Sequence, residues 1–535
     1  MAAKIDAPTL KGALSDGREI ALIDVREHGQ FGEGHPFFAV PLAYSRFELG
    51  LPELVPNASV RLVLCDAGDG VAERAALRAD ALGYSNVAVL AGGIAAWRAA
   101  GYALYAGVNV PSKTFGELVE VARHTPRLSA AQVAAMREAK ENLVIVDGRP
   151  FAEYSKMNIP GGICCPNGEL PLRIHEIVPD PNTTIIVNCA GRTRSIIGAQ
   201  MLIDFGVPNP VYALENGTQG WFLAGLPLEH GANRRGDAKL REQDVAQLSA
   251  RARAQAQRLG VEIVAAAAAQ AWLGEDSRTT YCLDVRRPEQ FAAAAVPGFA
   301  SAPGGQLIQA TDQWVGVKGA RLLLIDDEGV RAPVVAGWLR QSGHEASVLE
   351  GGAAAARSFN WQRPRAVPPA GAEPGALAAG EAGQALARGD LSIIDLRSSL
   401  AYRQGHIAGA IWSIRPRLGA AAAGAGKTVL LVAEEPAIAR LAAIDLGEAG
   451  CRDVRLLAEP PEAWVAAGLP IATSPAEPAD TARIDFLFFT AKRHEGTAEA
   501  AEAARQYLAW EVGLIHQLDA QERGAFPIAQ AVQVA

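Results

Sequence analysis

One short segment of the sequence combines a nucleophile with positive charge, Cys189-Ala190-Gly191-Arg192-Thr193-Arg194-Ser195. It lies between an apolar run, TIIVN, which predicts a buried strand, and a helical run, SIIGAQMLIDFG. A loop at this place can point successive backbone N–H groups, and the positive end of the following helix, at one atom. If that atom is the Cys189 sulfur, the loop favours the thiolate, which is the nucleophilic form. We therefore predict that Cys189 is an activated nucleophile.

The two arginines of this loop suggest what the nucleophile attacks. Arg192 and Arg194 add fixed positive charge near Cys189, which can hold an anionic donor and further favour the thiolate. We predict that the residues from Ala190 to Ser195 bind the substrate. The sequence does not support a catalytic His/Cys pair. The part of the chain that carries Cys189 has Asn158 where two similar parts of the chain have His35 and His406. Activation must then come from the loop itself.

The elements that must position this loop recur four times along the chain. Each copy opens with an apolar run that ends in Asp-x-Arg, and a second apolar run and a helical segment follow. The acids are Asp24, Asp147, Asp284 and Asp395, and the arginines are Arg26, Arg149, Arg286 and Arg397. Continuous apolar strands that alternate with helices predict α/β domains, each a mainly parallel sheet flanked by helices.

Composition limits the class of protein. A chain of 535 residues fits several domains, and no apolar run approaches the roughly 18 residues of a membrane span. The net charge of −8 argues against a nucleic-acid-binding protein. We expect no membrane contact and, without an apolar signal segment near the N-terminus, a cytoplasmic location with reduced thiols. The six cysteines show no metal-ligand spacing, so no metal or cofactor is predicted.

Three features taken together resemble the rhodanese homology domain over nearly all of residues 10 to 474. They are the Asp-x-Arg strand, the Cys-x4-Arg loop, and a closing string such as VLAGGIAAW ending at Trp97 or ALENGTQGW ending at Trp221. His35 and His406 stand in Gly-His turns similar to those of the family.

The resemblance implies a sulfurtransferase, in which a cysteine takes the outer sulfur of thiosulfate, forms a persulfide and passes the sulfur to cyanide or a thiol. It implies that Cys189 is the nucleophile and that Arg194 closes the loop, whereas Arg192 is a charge that many family loops lack. Phosphatases of related fold place five residues between Cys and Arg. The four residues here favour sulfur chemistry.

The corresponding loops of the other copies are weaker. The first keeps Cys65 but has two nearby acids and Gly70 in place of the closing arginine, so Cys65 is a possible secondary site or a degenerate one. The third has Asp326 and the fourth Ala433 at the nucleophile position, and we expect both to be inactive. Arg149 could add to the electrostatics of the donor site, although an Asp-x-Arg pair more often ties a strand end. Cys164 and Cys165 are most simply core residues.

These patterns predict a division of the chain. Four rhodanese-like domains are expected at 1–110, 120–231, 257–360 and 376–474, with a helical linker at 232–256, a Pro-rich linker at 361–375 and a helical extension at 475–535.

Two function hypotheses remain. The first is an enzyme that moves sulfur from a small anionic donor to cyanide, a thiol or a sulfur-acceptor protein. The second is a largely non-catalytic array that acts as a scaffold in thiol metabolism, because most of its loops are damaged.

Overall fold

The structure is a computed structural model that describes residues 2–237, 240–359, 373–423, 428–491 and 498–528. Four five-stranded sheets follow one another along the chain. They share one strand order, in which the first strand of a sheet pairs with the last strand of that sheet along the chain. The fourth repeat has two additional short strands, which pair with each other outside its five-stranded sheet. The α/β architecture with parallel pairing, expected from the sequence, is confirmed.

The first repeat contains five strands and five α-helices. Its strands are β1 (Ala3–Ile5), β2 (Ile20–Asp24), β3 (Val40–Pro41), β4 (Arg61–Cys65) and β5 (Val87–Leu90). Its helices are α1 (Ala7–Ala13), α2 (His28–Glu33), α3 (Phe47–Leu54), α4 (Val71–Ala81) and α5 (Gly93–Ala99).

The second repeat is preceded by a long helix, α6 (Val110–Arg123). Its strands are β6 (Arg127–Leu128), β7 (Leu143–Asp147), β8 (Ile163–Cys164), β9 (Thr184–Asn188) and β10 (Val211–Leu214). Its helices are α7 (Ala130–Glu138), α8 (Phe151–Lys156), α9 (Leu170–Ile177), α10 (Thr193–Phe205) and α11 (Gly217–Leu223).

The third repeat follows helix α12 (Glu242–Arg258). Its strands are β11 (Glu262–Val264), β12 (Thr280–Asp284), β13 (Ala300–Ser301), β14 (Arg321–Ile325) and β15 (Glu345–Leu349). Its helices are α13 (Ala266–Leu273), α14 (Pro288–Ala293), α15 (Gly304–Gln309), α16 (Arg331–Gln341) and α17 (Gly352–Ala356).

The fourth repeat and the C-terminal helices complete the described chain. The strands are β16 (Gly375–Leu377), β17 (Leu391–Asp395), β18 (His406–Ile407), β19 (Ile411–Trp412), β20 (Thr428–Val432), β21 (Val454–Leu457) and β22 (Ile471–Ala472). The helices are α18 (Ala379–Ala387), α19 (Ser399–Gln404), α20 (Leu418–Ala421), α21 (Pro436–Glu448), α22 (Pro461–Trp464), α23 (Phe488–Ala491), α24 (Ala498–Gln517) and α25 (Ala520–Gly524).

The central strands are apolar because both faces of each sheet are covered, as is usual for parallel sheets. In the second repeat, Ile145, Ile186, Leu214 and Trp221 are buried in one core cluster. The indole Nε1 of Trp221 donates to the carbonyl of Pro227 at 2.9 Å, so the tryptophan also fixes the chain that leaves the repeat. Trp97 makes the same kind of bond to Ala103.

Compactness divides the chain into two units. One contains Met1–Leu10, Ala21–Gly107 and Arg365–Phe489, and the other contains Lys11–Ile20, Val108–Pro364 and Thr490–Ala535. The second and third repeats and α24 therefore belong to one unit. Among the described residues, no helix has the length and apolar character that a membrane crossing requires.

The predicted helical linker begins later than the sequence indicated. Helix α12 begins at Glu242, while residues 234–236 lie along β8, where the amide of Cys164 donates to the carbonyl of Arg234 at 3.0 Å. This segment packs on the second repeat because its backbone completes hydrogen bonds of an edge strand. The Pro-rich linker predicted at 361–375 lies outside the described residues up to 372. The predicted domain limits stay a prediction.

Candidate active site

The Cys189 loop lies where the sequence places it, between strand β9 and helix α10. Because β7, β8 and β9 are parallel, their carboxyl ends meet at one edge of the sheet, where sites of such folds form. Cys189 is 2% exposed. The first turn of α11 holds the loop from behind, since the amide of Thr218 donates to the carbonyl of Cys189 at 2.8 Å.

The third repeat shows what this kind of loop can bind. Asp326 stands where Cys189 stands, directly after the matching strand, and its carboxylate accepts hydrogen bonds from three loop amides. They belong to Gly329 (3.2 Å), Val330 (2.9 Å) and Arg331 (2.8 Å). The loop is therefore a cradle for one negatively charged group. In the second repeat the matching amides are those of Arg192, Thr193 and Arg194.

Arg194 closes the loop through contacts with other side chains. Its two Nη atoms donate to the two carboxylate oxygens of Glu153 at 2.9 and 2.8 Å, and Nη1 also donates to Gln306 Oε1 at 3.1 Å. Burial by itself would lower the pKa of Arg194, but the Glu153 carboxylate and the nearby Cys189 raise it above its usual value. Arg194 is therefore a fixed, permanently charged group beside the nucleophile.

The second and third repeats hold their loop arginines reciprocally. Arg194 of the second repeat reaches Gln306 of the third, and Arg331 Nη1 of the third donates to Glu169 Oε1 of the second at 2.9 Å. Glu169 and Gln306 each stand 22 residues after the acid of their own Asp-x-Arg. The two repeats thus pack with related surfaces, and each supplies a side chain to the loop of the other.

The guanidinium of Arg192 is occupied by carboxylates. Nε and Nη2 donate to the two oxygens of Glu117 at 2.8 Å each, and Nη2 also contacts Glu120. Burial raises the pKa of Glu117 to about 7, against the influence of Arg192. The sequence prediction treated Arg192 as charge available to a donor. The structure instead pairs Arg192 with Glu117 and Glu120 of helix α6. Arg192 therefore contributes less to donor binding than an unpaired arginine would.

The other loop residues have identifiable contacts. Ser195 Oγ donates to the carbonyl of Arg192 at 2.8 Å, which stabilises the turn into α10. Thr193 Oγ1 donates to Glu511 Oε1 of the C-terminal helix at 2.8 Å. A Cβ atom at Gly191 would stand 3.1 Å from Glu511 Oε2, so glycine allows this close approach. Ala190 contributes its carbonyl, which accepts from the amide of Gln219 at 3.1 Å.

Sequence reasoning missed Glu117, Glu120, Glu153, Gln306 and Glu511. Glu117 and Glu120 lie on α6, Glu117 between the first two predicted domains and Glu120 at the first residue of the second, and Glu511 lies in the C-terminal extension. Glu153 carried a weak signal, because it stands six residues after Asp147, as Gln290 stands after Asp284, and Gln290 accepts from Arg331 at 2.6 Å. Gln306 carried a similar signal, because it matches Glu169 in position, whereas Glu117, Glu120 and Glu511 have no such signal in a single sequence.

Arg149 forms part of a structural tie. Its guanidinium donates to both oxygens of Asp147, at 2.8 and 2.7 Å, and to the carbonyl of Met157 at 2.6 Å. The arginines of the other three repeats make the same contacts: Arg26 with Asp24 and Gly34, Arg286 with Asp284 and Ala294, and Arg397 with Asp395 and Gly405. Because the tie also occurs beside loops that lack a cysteine, it explains Arg149 without a substrate.

The histidine turns are structural in the same way. His35 Nδ1 lies 2.9 Å from the carbonyl of Phe31, and His406 Nδ1 lies 2.8 Å from that of Tyr402. In the second repeat, Asn158 Nδ2 donates to the carbonyl of Tyr154 at 3.2 Å. The amide of Asn158 therefore replaces the imidazole in the turn.

Cys65 differs from Cys189 in its surroundings. It is fully buried, and burial together with the Asp24 carboxylate raises the pKa of its thiol well above the usual value. Asp66 accepts from the amides of Gly68 at 2.8 Å and Ala72 at 3.0 Å, so a carboxylate already binds amides of this loop. These contacts favour the degenerate interpretation of the first site.

A cavity of about 380 Å³ lies beside the site, between the second and third repeats. Its lining includes Phe151, Cys164, Cys165 and Gln306, the last of which contacts Arg194. Burial raises the pKa of the Cys164 thiol to about 12. Neither Cys164 nor Cys165 therefore carries a thiolate at neutral pH, because burial raises the pKa of Cys165 as well.

Comparison with known families agrees with this repeat pattern. The family model described as "Rhodanese-like domain" matches residues 6–100, 129–224 and 265–358. Together the three matches cover more than half of the chain.

Two known proteins illustrate the similarity. The crystal structure of a thiosulfate sulfurtransferase from Pseudomonas aeruginosa is 43% identical, covers 98% of this chain and 99% of its own, and superposes with a TM-score of 0.88. The HTH-type transcriptional regulator Rv0324 of Mycobacterium tuberculosis is 34% identical over 105 residues. That match covers 20% of this chain and 45% of the regulator, so the chain spans less than half of that relative.

Proposed function

Because the chain belongs to the rhodanese-like family and is of sulfurtransferase type, we propose that it moves sulfane sulfur from thiosulfate to cyanide or a thiol through a persulfide on Cys189. The observation that carries the proposal is the cradle of the third repeat, which binds the Asp326 carboxylate through three amides, together with Cys189 at the matching position of the second repeat. We also propose a cytoplasmic location for the protein.

The first half-reaction forms the persulfide. The Cys189 thiolate attacks the outer sulfur of thiosulfate, the S–S bond of thiosulfate breaks, and sulfite leaves with the electron pair. Loop amides from Arg192 to Arg194 stabilise the negative charge that remains on the outer sulfur. The fixed charge of Arg194 lies next to this sulfur and favours the approach of an anionic donor.

The second half-reaction returns the enzyme to its thiolate. Cyanide attacks the outer sulfur, forms thiocyanate and releases the Cys189 thiolate. A thiol acceptor reacts in the same way, and its proton passes to the transferred sulfur, so that an organic persulfide leaves. Donor and acceptor then use one site in turn, and we expect ping-pong kinetics.

Intact-mass measurement after thiosulfate treatment tests the proposal. The wild type is expected to gain one sulfur atom, which a reductant removes, and Cys189→Ala is expected to gain none. Cys65→Ala is the matched control and should gain sulfur as the wild type does. A wild type that takes no sulfur would contradict the proposal, and loss of loading in Cys65→Ala would replace the single site by a relay.

A second function, a scaffold for a sulfur-acceptor protein, is favoured by the third repeat. Asp326 fills its cradle with a carboxylate, and Ala433 leaves the fourth repeat without a nucleophile. We propose that the third repeat supports the second one, as Gln306 does for Arg194, and that the chain has a single catalytic loop.

A further inference from the structure

The C-terminal helix α24 contacts the Cys189 loop directly. Thr193 Oγ1 donates to Glu511 Oε1 at 2.8 Å, although the two residues are 318 positions apart. Glu511 is 1% exposed, and a Cβ atom at Gly191 would stand 3.1 Å from its other oxygen. The carboxylate of Glu511 therefore lies against two residues of the loop.

Thr193 is a sensitive point of the cradle. It is the first residue of α10, so its backbone N–H has no acceptor within the helix. At the same position of the third repeat, the N–H of Val330 donates to the Asp326 carboxylate at 2.9 Å. Any contact that fixes the Thr193 side chain thus also fixes one of the donors of the cradle.

Glu511 is itself held in place by helix α6. Lys113 Nζ lies 3.6 Å from Glu511 Oε1, contacts the hydroxyl of Tyr507, and stands 5.1 Å from the centre of the Tyr507 ring. Phe115 stacks on Phe526 beyond α24, with ring centres 6.4 Å apart. These contacts between α6 and the C-terminal residues give the carboxylate a defined position.

The hydroxyl that Glu511 binds is specific to the second loop. The matching positions of the first, third and fourth loops are Asp69, Val330 and Ala437, none of which carries a hydroxyl. The hydroxyl therefore occurs in the loop that has both a cysteine and a closing arginine, and a general packing role would not require it there.

We propose that Glu511 is a positioning residue for the nucleophile. By accepting a hydrogen bond from the Thr193 hydroxyl, Glu511 fixes the position of the first backbone amide of α10, and this amide in turn sets the reactivity of Cys189. The inference rests on the proposed function insofar as Cys189 is the reacting group. It assigns to α24 a part in the chemistry, beyond covering the repeats.

The test compares Glu511→Ala, Glu511→Gln and Thr193→Val with the wild type in two measurements. The first is the rate of Cys189 alkylation by iodoacetamide across pH, followed by peptide mass, which does not depend on sulfur transfer. The second is the single-turnover rate of persulfide formation from thiosulfate. Glu502→Ala is the control, because Glu502 is an exposed acid on the same helix that pairs with Arg505 at 2.9 Å.

Glu511→Ala and Thr193→Val are expected to lower both rates about tenfold, as the loss of a supporting contact commonly does. Glu511→Gln keeps an acceptor oxygen and should restore most of the rate, and Glu502→Ala should match the wild type. The double variant Thr193→Val/Glu511→Ala should be no slower than either single variant, since both remove one interaction.

Two results would overturn the inference. One is wild-type alkylation and persulfide rates in Glu511→Ala and Thr193→Val. The other is equal loss in Glu511→Gln and Glu511→Ala, which would assign the effect to the negative charge. If the wild type forms no persulfide while alkylation still follows the expected order, the proposed sulfur transfer fails and the positioning role stands.

Discussion

The backbone amide of Arg331 donates a hydrogen bond to the carboxylate of Asp326 at 2.8 Å. Arg331 and Asp326 occupy the loop positions that Arg194 and Cys189 occupy in the second repeat. The third repeat thus shows the cradle with an acidic side chain of its own in place, and in the proposed function a thiolate or persulfide of Cys189 takes that position in the second repeat.

The Asp326 carboxylate should be a stabilising group. Asp326→Ala removes the acceptor of three amides and a neighbour of the buried Arg331, which should cost about 1–3 kcal/mol in the free energy of unfolding. Asp327→Ala is the control, because the Asp327 side chain is 39% exposed and its pair with Arg286 should be worth less than about 1 kcal/mol. Urea unfolding followed by tryptophan fluorescence measures both, and equal losses would contradict the anion role of Asp326.

The two-pronged hydrogen bonding of the Arg194 guanidinium should affect the rate of persulfide formation, in addition to its charge. Arg194→Lys keeps the charge but loses the paired contacts with Glu153 and the bond to Gln306, so persulfide formation should slow by about 10- to 100-fold. The control is Arg234→Lys, since Arg234 forms a similar forked pair with Glu229 in the same unit. Quenched-flow mass measurement gives the rates, and an unchanged rate in Arg194→Lys would show that charge alone suffices.

The fold and the position of the loop followed from the sequence for a physical reason. Short apolar runs that are rich in β-branched residues, such as TIIVN, favour buried strands, and the switch to helical periodicity at Ser195 predicts the helix that became α10. Both signals are local. The structure confirms parallel α/β sheets and shows Cys189 between strand β9 and helix α10.

The charges around the loop did not follow from the sequence. The sequence predicted Arg192 as a charge available to a donor. In the structure, Glu117 and Glu120 of helix α6, which lies outside the repeated pattern, pair with it. Glu511 reaches Thr193 from the far end of the chain. Such contacts come from tertiary packing, and neither spacing nor periodicity in one sequence records which distant side chain neutralises a given arginine.

Glu117 should make stability depend on pH near neutrality. Burial raises the pKa of Glu117 from 4.5 to about 7, and the Glu511 and Glu120 carboxylates add to the rise. Between these values the folded protein holds a proton that the unfolded chain has lost, so this stabilising contribution is full at low pH and disappears as pH rises to 7.

Glu117→Gln removes this titration. From pH 5 to pH 8 its free energy of unfolding should gain on that of the wild type, by at most about 3 kcal/mol. Glu138→Gln, at an exposed position on α7, should follow the wild type at every pH. Urea unfolding at several pH values measures the difference, and a gap between Glu117→Gln and wild type that stays constant would contradict the prediction.

The two loop cysteines should differ sharply in reactivity. Burial and the Asp24 carboxylate raise the pKa of Cys65, and Asp66 binds amides of its loop. Cys189 instead stands at the position whose counterpart in the third repeat, Asp326, accepts three loop amides. If Cys189 is the nucleophile, as proposed, iodoacetamide should label it well before Cys65 in native protein at pH 8. In urea both cysteines should react at similar rates, which controls for differences in intrinsic reactivity and in detection between the two peptides. Peptide mass analysis gives the two labelling rates, and faster native labelling of Cys65 would move the candidate nucleophile to the first repeat.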